Sequence, residues 1–318
     1  MIALVSAATL GINAKVRLHH LIADNMVVQS NTDVRLWGWA NPGKTVNVST
    51  SWGSTPCSAK ADKDGAWEVR VRTPKASYKP LSISFSDGET TTISNVLSGE
   101  VWVCAGQSNM EMPVRGFDGC PVEGYNEAVV DATHRAAIRY AKIPSRMAMK
   151  PQSDADTRWM VVSPATVAGT SATGYFFARM LQQTLDVPVG IIEANKGGTR
   201  VESWLDRDNL KRETDERLDS ASIYAMKTDY YRPLVWGNGT FAPITKFTVK
   251  GIVYYQGCSN VGYNTSDYAR RLGLLVRQWR RDFNCGELPF YFVEIAPYWY
   301  DNADGTEAAL LREQQYIA

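Results

Sequence analysis

Ser108 stands in the run Gly106-Gln107-Ser108-Asn109-Met110, directly after the apolar segment 100–105. A serine at the end of a strand offers a hydroxyl nucleophile, and its own backbone N–H is left to point at a bound oxygen. The run is not a G-x-S-x-G elbow, because Met110 takes the place of the second glycine. Two other runs share the setting. Asn195-Lys196-Gly197-Gly198-Thr199 follows the apolar segment 189–193, and Gln256-Gly257-Cys258-Ser259-Asn260 follows 251–255. Paired glycines let backbone N–H groups approach a ligand closely, and Asn260 carries a side-chain donor. Singly, each run reads as a turn, or for Asn260 as a helix cap. Together, a serine, a glycine amide and an asparagine amide are the parts of a nucleophile with its oxyanion hole, which is acyl-transfer chemistry.

What such a serine also needs is a base. The chain has only three histidines, His19, His20 and His134. His134 falls on a predicted helix over 131–137, ahead of a strand at 138–142, and reads as a surface residue. His19 and His20 sit at the start of a strand-rich region.

The three runs need a scaffold that brings strand ends together. From residue 16 to 99 the pattern has a period of two: Val46 and Val48 alternate with polar residues, as do Trp67, Val69 and Val71, and Leu81, Ile83 and Phe85. That is the signature of half-buried antiparallel strands. Turn signals at Asn41-Pro42-Gly43, Asp64-Gly65 and Asp87-Gly88 punctuate it. After Gly99 strands alternate with helices: Phe177, Leu181 and Leu185 recur at helical spacing, a strand spans 189–193, Tyr268, Leu272, Leu275, Val276 and Trp279 share a helical face, and a strand spans 290–295. This alternation predicts a parallel sheet covered on both sides, with ligands at the carboxyl ends of its strands. The expected fold class is α/β, divided as a leader (1–14), an all-β sandwich domain (15–98) and an α/β domain (99–318).

Composition narrows the functions. The 318 residues carry 34 Lys+Arg against 33 Asp+Glu, so no global field draws the chain to nucleic acid or an acidic membrane. No apolar run is long enough to span a bilayer. The five cysteines, Cys57, Cys104, Cys120, Cys258 and Cys285, are scattered without metal-ligand spacing, so neither a structural zinc nor a disulfide framework is expected. No metal or organic cofactor is required. The small apolar run 2–12, followed by Asn13-Ala14 and Lys15, reads as an export leader with cleavage near Ala14, which implies a periplasmic or secreted protein. Nothing in the sequence fixes the oligomeric state.

Several runs, in order, resemble the sialate O-acetylesterase family of the SGNH hydrolases: Asp24-Asn25-Met26-Val27-Val28-Gln29, Trp37-Gly38-Trp39-Ala40, Gly99-Glu100-Val101-Trp102, GQSNM, the GGT run with Glu202-Ser203-Trp204, Tyr255-Gln256-Gly257 and Trp279-Arg280. The resemblance implies a flavodoxin-like three-layer α/β/α esterase domain preceded by a β-sandwich, and removal of O-acetyl groups from sialic acids or related sugars. By the same resemblance Ser108 is the nucleophile. Its N–H, the N–H of Gly197 or Gly198 (we take Gly198), and the Asn260 side chain hold the oxyanion, while Gln107 and Gln256 line the pocket. Cys258, counted with Gln107, Gly197 and Gln256 among the substrate-binding residues, stands where the family has glutamate, a departure that removes a hydrogen-bond acceptor near the site. The family also carries its catalytic histidine, with an aspartate, near the C-terminus, and no histidine follows His134. The expectation is therefore a gene fragment rather than a degenerate relative, one that as written falls short of full catalysis. Two other readings remain open: an acetylxylan esterase, and a catalytically impaired carbohydrate-binding relative that uses Trp204, Tyr263 and Trp299 as sugar platforms.

Overall fold

The computed structural model describes residues 15–298, 300 and 305–318. The leader, its cleavage point at Ala14, and Trp299 lie outside them. The strands up to the first candidate run are β1 (Arg17–Leu18), β2 (Val27–Gln29), β3 (Asp33–Trp39), β4 (Thr45–Thr50), β5 (Cys57–Lys60), β6 (Ala66–Arg72), β7 (Ser77–Ser86) and β8 (Thr90–Gly106). Period-two alternation builds them as expected: on β6, Trp67 and Val69 are buried while Glu68 and Arg70 face solvent. One antiparallel sheet runs β1-β3-β6, and a second runs β5-β4-β7-β8.

The sequence suggested a new strand after Gly99. Instead β8 is one 17-residue strand shared by two regions: Leu97–Gly99 pair with β2, and from Glu100 onward the same strand pairs with β11. Gly99 permits the passage. A Cβ there would run into the carbonyl of Pro188, which instead accepts the Glu100 N–H at 2.9 Å.

The remaining elements are α1 (Ser108–Glu111), α2 (Tyr125–Asp131), β9 (Ile138–Lys142), β10 (Trp159–Val161), α3 (Ala172–Leu185), β11 (Val189–Asn195), α4 (Arg207–Glu213), α5 (Ser220–Ala225), β12 (Gly251–Tyr255), α6 (Tyr268–Phe283), β13 (Phe290–Phe292) and α7 (Glu307–Ile317). The chain is thus a mixed α/β protein with a large mixed sheet. Its parallel part is ordered β9-β11-β8-β12-β13, with β10 antiparallel at the β9 edge. The strand order switches sides about β8, with β11 on one side and β12 on the other and all three parallel, which opens a crevice at the carboxyl ends of these strands.

Alternate residues of the central strands feed two cores. Val101, Val103 and Tyr254 join Leu272 and Trp279 of α6, whereas Trp102, Cys104 and Val253 join Tyr175 and Ala178 of α3. Trp279 stacks on Phe241 with centroids 3.7 Å apart. Burying each large side chain of α6 contributes about 1.5–3 kcal/mol. On α3 the periodic residues named from sequence are not the buried face: Gly174, Tyr175, Ala178 and Gln182 are buried, and Leu185 is exposed. The helix expected over 131–137 lies earlier, because Gly124 opens α2 in a left-handed conformation and only a 3-10 turn, Ala132–His134, follows it. The strand expected over 290–295 stops at Phe292. All five cysteines are free. Among the described residues no helix is long and apolar enough to cross a membrane.

Candidate active site

The three runs converge at the ends of β8, β11 and β12. Gln107 N–H donates to the Tyr255 carbonyl at 2.9 Å, and Lys196 N–H donates to the Gly106 carbonyl at 2.9 Å, which ties the strand ends together. Ser108 is the first residue of α1 and is half-buried. Its N–H belongs to the first turn, where helix donors have no intrahelical partner. Its hydroxyl has no hydrogen-bond partner among the described residues.

Gly197 lies beside it: a Cβ on Gly197 would sit 3.6 Å from Ser108 Cβ. The Gly197 N–H is already committed, donating to Glu111 Oε2 at 2.6 Å. Gly198 differs. Its N–H has no partner among the described residues, its φ is +78°, and the Tyr230 ring covers it so closely that a Cβ would stand 2.6 Å from a ring carbon. Of the two glycines, only Gly198 has an amide left to offer.

Asn260 makes hydrogen bonds through both of its side-chain polar atoms. Its Oδ1 accepts from Val201 N–H at 3.0 Å and from Gln256 Nε2 at 2.9 Å, and its Nδ2 donates to Glu202 Oε2 at 3.1 Å. It is 1% exposed. Glu202, also buried, is paired with Arg271. These bonds brace the second run against the third, and the Asn260 NH2 carries two hydrogens, so its bond to Glu202 does not by itself spend both. Gln256 belongs to the same buried network: Nε2 also donates to the Thr199 carbonyl at 3.0 Å, and Oε1 accepts from Tyr268 at 2.9 Å. At 1% exposed it is a support beneath the site and not a pocket wall. Gln107 is also buried, and its Oε1 accepts the Gly257 N–H at 2.9 Å, which joins the first and third runs.

Cys258 is half-buried, and it is among the groups that raise the pKa values of Tyr255 and Tyr300, behind burial as the main cause. Burial raises the Tyr255 pKa, and its hydroxyl accepts from Asn109 Nδ2 and from Ala296 N–H, both at 2.8 Å. A protonated tyrosine thus holds the residue after Ser108 to the segment after β13.

No histidine hydrogen-bonds to Ser108. His19 is buried with Nε2 3.2 Å from Asp154, and burial lowers its pKa to about 4. His20 meets the same carboxylate at 3.0 Å, and His134 is exposed at its turn. Among the described residues no cluster of ligating side chains could hold a metal. A cavity of about 740 Å³ lies elsewhere, between Trp37, Trp39 and Trp67 on one side and Trp204, Phe241 and Trp279 on the other, and Ser108 does not line it.

A family model described as "Carbohydrate esterase, sialic acid-specific acetylesterase" matches residues 98–317. The chain belongs to this family. Similar proteins include the sialate O-acetylesterases of Mus musculus, 27% identical over 90% of this chain, and of Homo sapiens, 28% identical over 88%. The chain spans 61% and 57% of the length of those two relatives. Among solved structures, a carbohydrate acetylesterase from Xanthomonas citri is 30% identical with a TM-score of 0.83, covering 95% of this chain and 65% of that one.

Within this family member, several residues of the site went unnoticed in the sequence. Glu111 was legible in principle, being one helical turn after Ser108. Glu202 stood in a family run but carried no assigned role. Tyr230 reaches Gly198 from a distant loop, and no local pattern announces that. Trp204, proposed as a sugar platform, is 1% exposed and donates through Nε1 to Thr199 at 3.0 Å, so it is core. Tyr263 is half-buried; its hydroxyl donates to Glu216 at 2.9 Å, and Arg200 lies 3.3 Å from its ring centroid.

Proposed function

We propose that the chain is a carboxylic ester hydrolase that removes O-acetyl groups from sialic acid or a related acetylated sugar by way of Ser108. The observation that carries this reading is the pairing of Ser108 with an adjacent, unused glycine amide at the crevice of the sheet. Family membership supports the ester-hydrolase class, and the relatives' names support an acetylated sugar. In our reading residues 99–318 form a flavodoxin-like three-layer domain, the strands before it a β-sandwich, and the protein acts outside the cytoplasm.

The reaction is two-step acyl transfer. Ser108 Oγ attacks the acetyl carbonyl while a base removes its proton, and the oxyanion lies against the N–H groups of Ser108 and Gly198. The sugar hydroxyl leaves with a proton, and water then releases acetate from the acetyl-serine. Asn260, Gln256 and Gln107 hold the three runs in register, and Glu111 takes up the Gly197 N–H, which leaves the Gly198 amide as the one to serve the oxyanion. None of the three histidines is placed to act as the base. The test is acetate release from O-acetylated sialic acid with imidazole added as base, beside the Ser108→Ala variant. Release that depends on Ser108 supports the reading, and equal release by both proteins sinks it. Acetylated xylan in the same assay distinguishes the acetylxylan esterase alternative.

A further inference from the structure

Two cations flank the paired glycines. Lys196 precedes Gly197, and its Nζ lies 4.9 Å from the Trp236 ring centroid. Arg200 follows Thr199, and its guanidinium contacts two rings, 3.8 Å from the centroid of Tyr231 and 3.3 Å from that of Tyr263. Arg200 Nε donates to the Ser259 carbonyl at 3.2 Å, which anchors it to the third run. Its two Nη nitrogens have no hydrogen-bond partner, and neither cation has a carboxylate partner, among the described residues. The nearby carboxylates are engaged elsewhere: Glu216 accepts the Tyr263 hydroxyl, and Glu202 pairs with Arg271. Both cations are half-exposed.

A guanidinium immobilised on aromatic faces, with one nitrogen tied to backbone and its outer edge unpaired, is pre-organised for a bidentate carboxylate. The site is also in reach. Gly197 lies against Ser108, with its Cβ position 3.6 Å from Ser108 Cβ, and three residues of chain span at most about 11 Å to Arg200. Arg200 thus stands on the same run as the glycine beside Ser108, and its Nε is tied to the run that carries Asn260.

We propose that Arg200 is the specificity-determining residue of this site, binding the carboxylate of an acetylated sugar acid and so selecting acidic over neutral sugars, with Lys196 adding to the local positive field. This rests on the hydrolase reading for the position of the ester, but its test is a binding measurement that needs no catalysis. N-acetylneuraminic acid and its methyl ester share a ring and differ in the charge that Arg200 would read. Titrated into the full chain and followed by NMR, the acid should bind about tenfold or more tightly than the methyl ester. Arg200→Gln should bring the two affinities together, while Arg200→Lys, which keeps the charge and loses the fork, should retain part of the difference. Circular dichroism shows whether each variant is folded. Equal binding of acid and methyl ester, no binding of the acid, or a preference that survives in folded Arg200→Gln would overturn the proposal. Failure of the hydrolase reading appears separately, as acetate release that does not depend on Ser108.

Discussion

Asn260→Ala separates two roles for one buried amide. The substitution removes the acceptor of the Val201 N–H at 3.0 Å and one of two acceptors of Gln256 Nε2. Gln256 keeps the Thr199 carbonyl, and Glu202 keeps Arg271. One buried backbone N–H is thus orphaned, at about 1–3 kcal/mol, and the small void left behind adds about 1 kcal/mol. At about 2–4 °C per kcal/mol, the thermal midpoint should fall by about 4–16 °C. If the amide is a brace, imidazole-supplied acetate release measured well below that midpoint should stay within about threefold of the parent. Loss of an oxyanion donor would instead lower turnover by about a hundredfold or more. The assay is thermal unfolding followed by circular dichroism, paired with acetate release at low temperature. A variant as stable as the parent but a hundredfold slower would refute the reasoning and return Asn260 to the oxyanion.

Arg271→Met leaves the Glu202 carboxylate buried with Asn260 as its remaining donor, and should cost about 3–5 kcal/mol. Adding Glu202→Gln should recover much of this in chemical denaturation, and a double variant no more stable than the single would count against the pair. Gly198→Ala forces a side chain into φ +78° and against Tyr230, at about 1–2 kcal/mol for the backbone alone; acetate release should fall more than in Gly197→Ala, whose φ is unstrained, and equal losses would contradict the assignment. Burial holds His19 neutral, lowering its pKa from 6.5 to about 4 against the opposing pull of Asp154. The unfolded chain therefore takes up the proton first, so stability present above about pH 6.5 should drain away by about 3 kcal/mol as pH falls to 4. Urea midpoints across that range should flatten in His19→Gln, and an unchanged slope would exclude His19 as the cause.

Much of the fold was legible because burial writes a period into the sequence. Trp67 and Val69 of β6, and Tyr268, Leu272, Leu275 and Trp279 of α6, are buried as their spacing predicted. The continuity of β8 was hidden, because the turn-like Gly99 serves a close approach by Pro188 that only tertiary structure supplies. On α3, Phe177 misled: it meets the edge of Trp102 at a centroid distance of 5.1 Å while smaller neighbours fill the core. Residue type and strand-end position singled out Ser108, Gly197 and Gly198, whose runs the structure brings to one end of the sheet. They could not tell which amide was spent, since that depends on Glu111 reaching Gly197, nor that Asn260 faces Glu202. Hydrogen-bond commitments between distant segments leave no periodic trace.

The central claim is that Ser108 is the nucleophile of this site. It is tested most directly by treating the 318-residue chain with a fluorophosphonate, with and without added imidazole, and locating the adduct by peptide mass mapping. A single adduct is expected on Ser108, absent from Ser108→Ala and forming faster when imidazole supplies the base. An adduct on another residue, or none at saturating reagent with imidazole present, would contradict it.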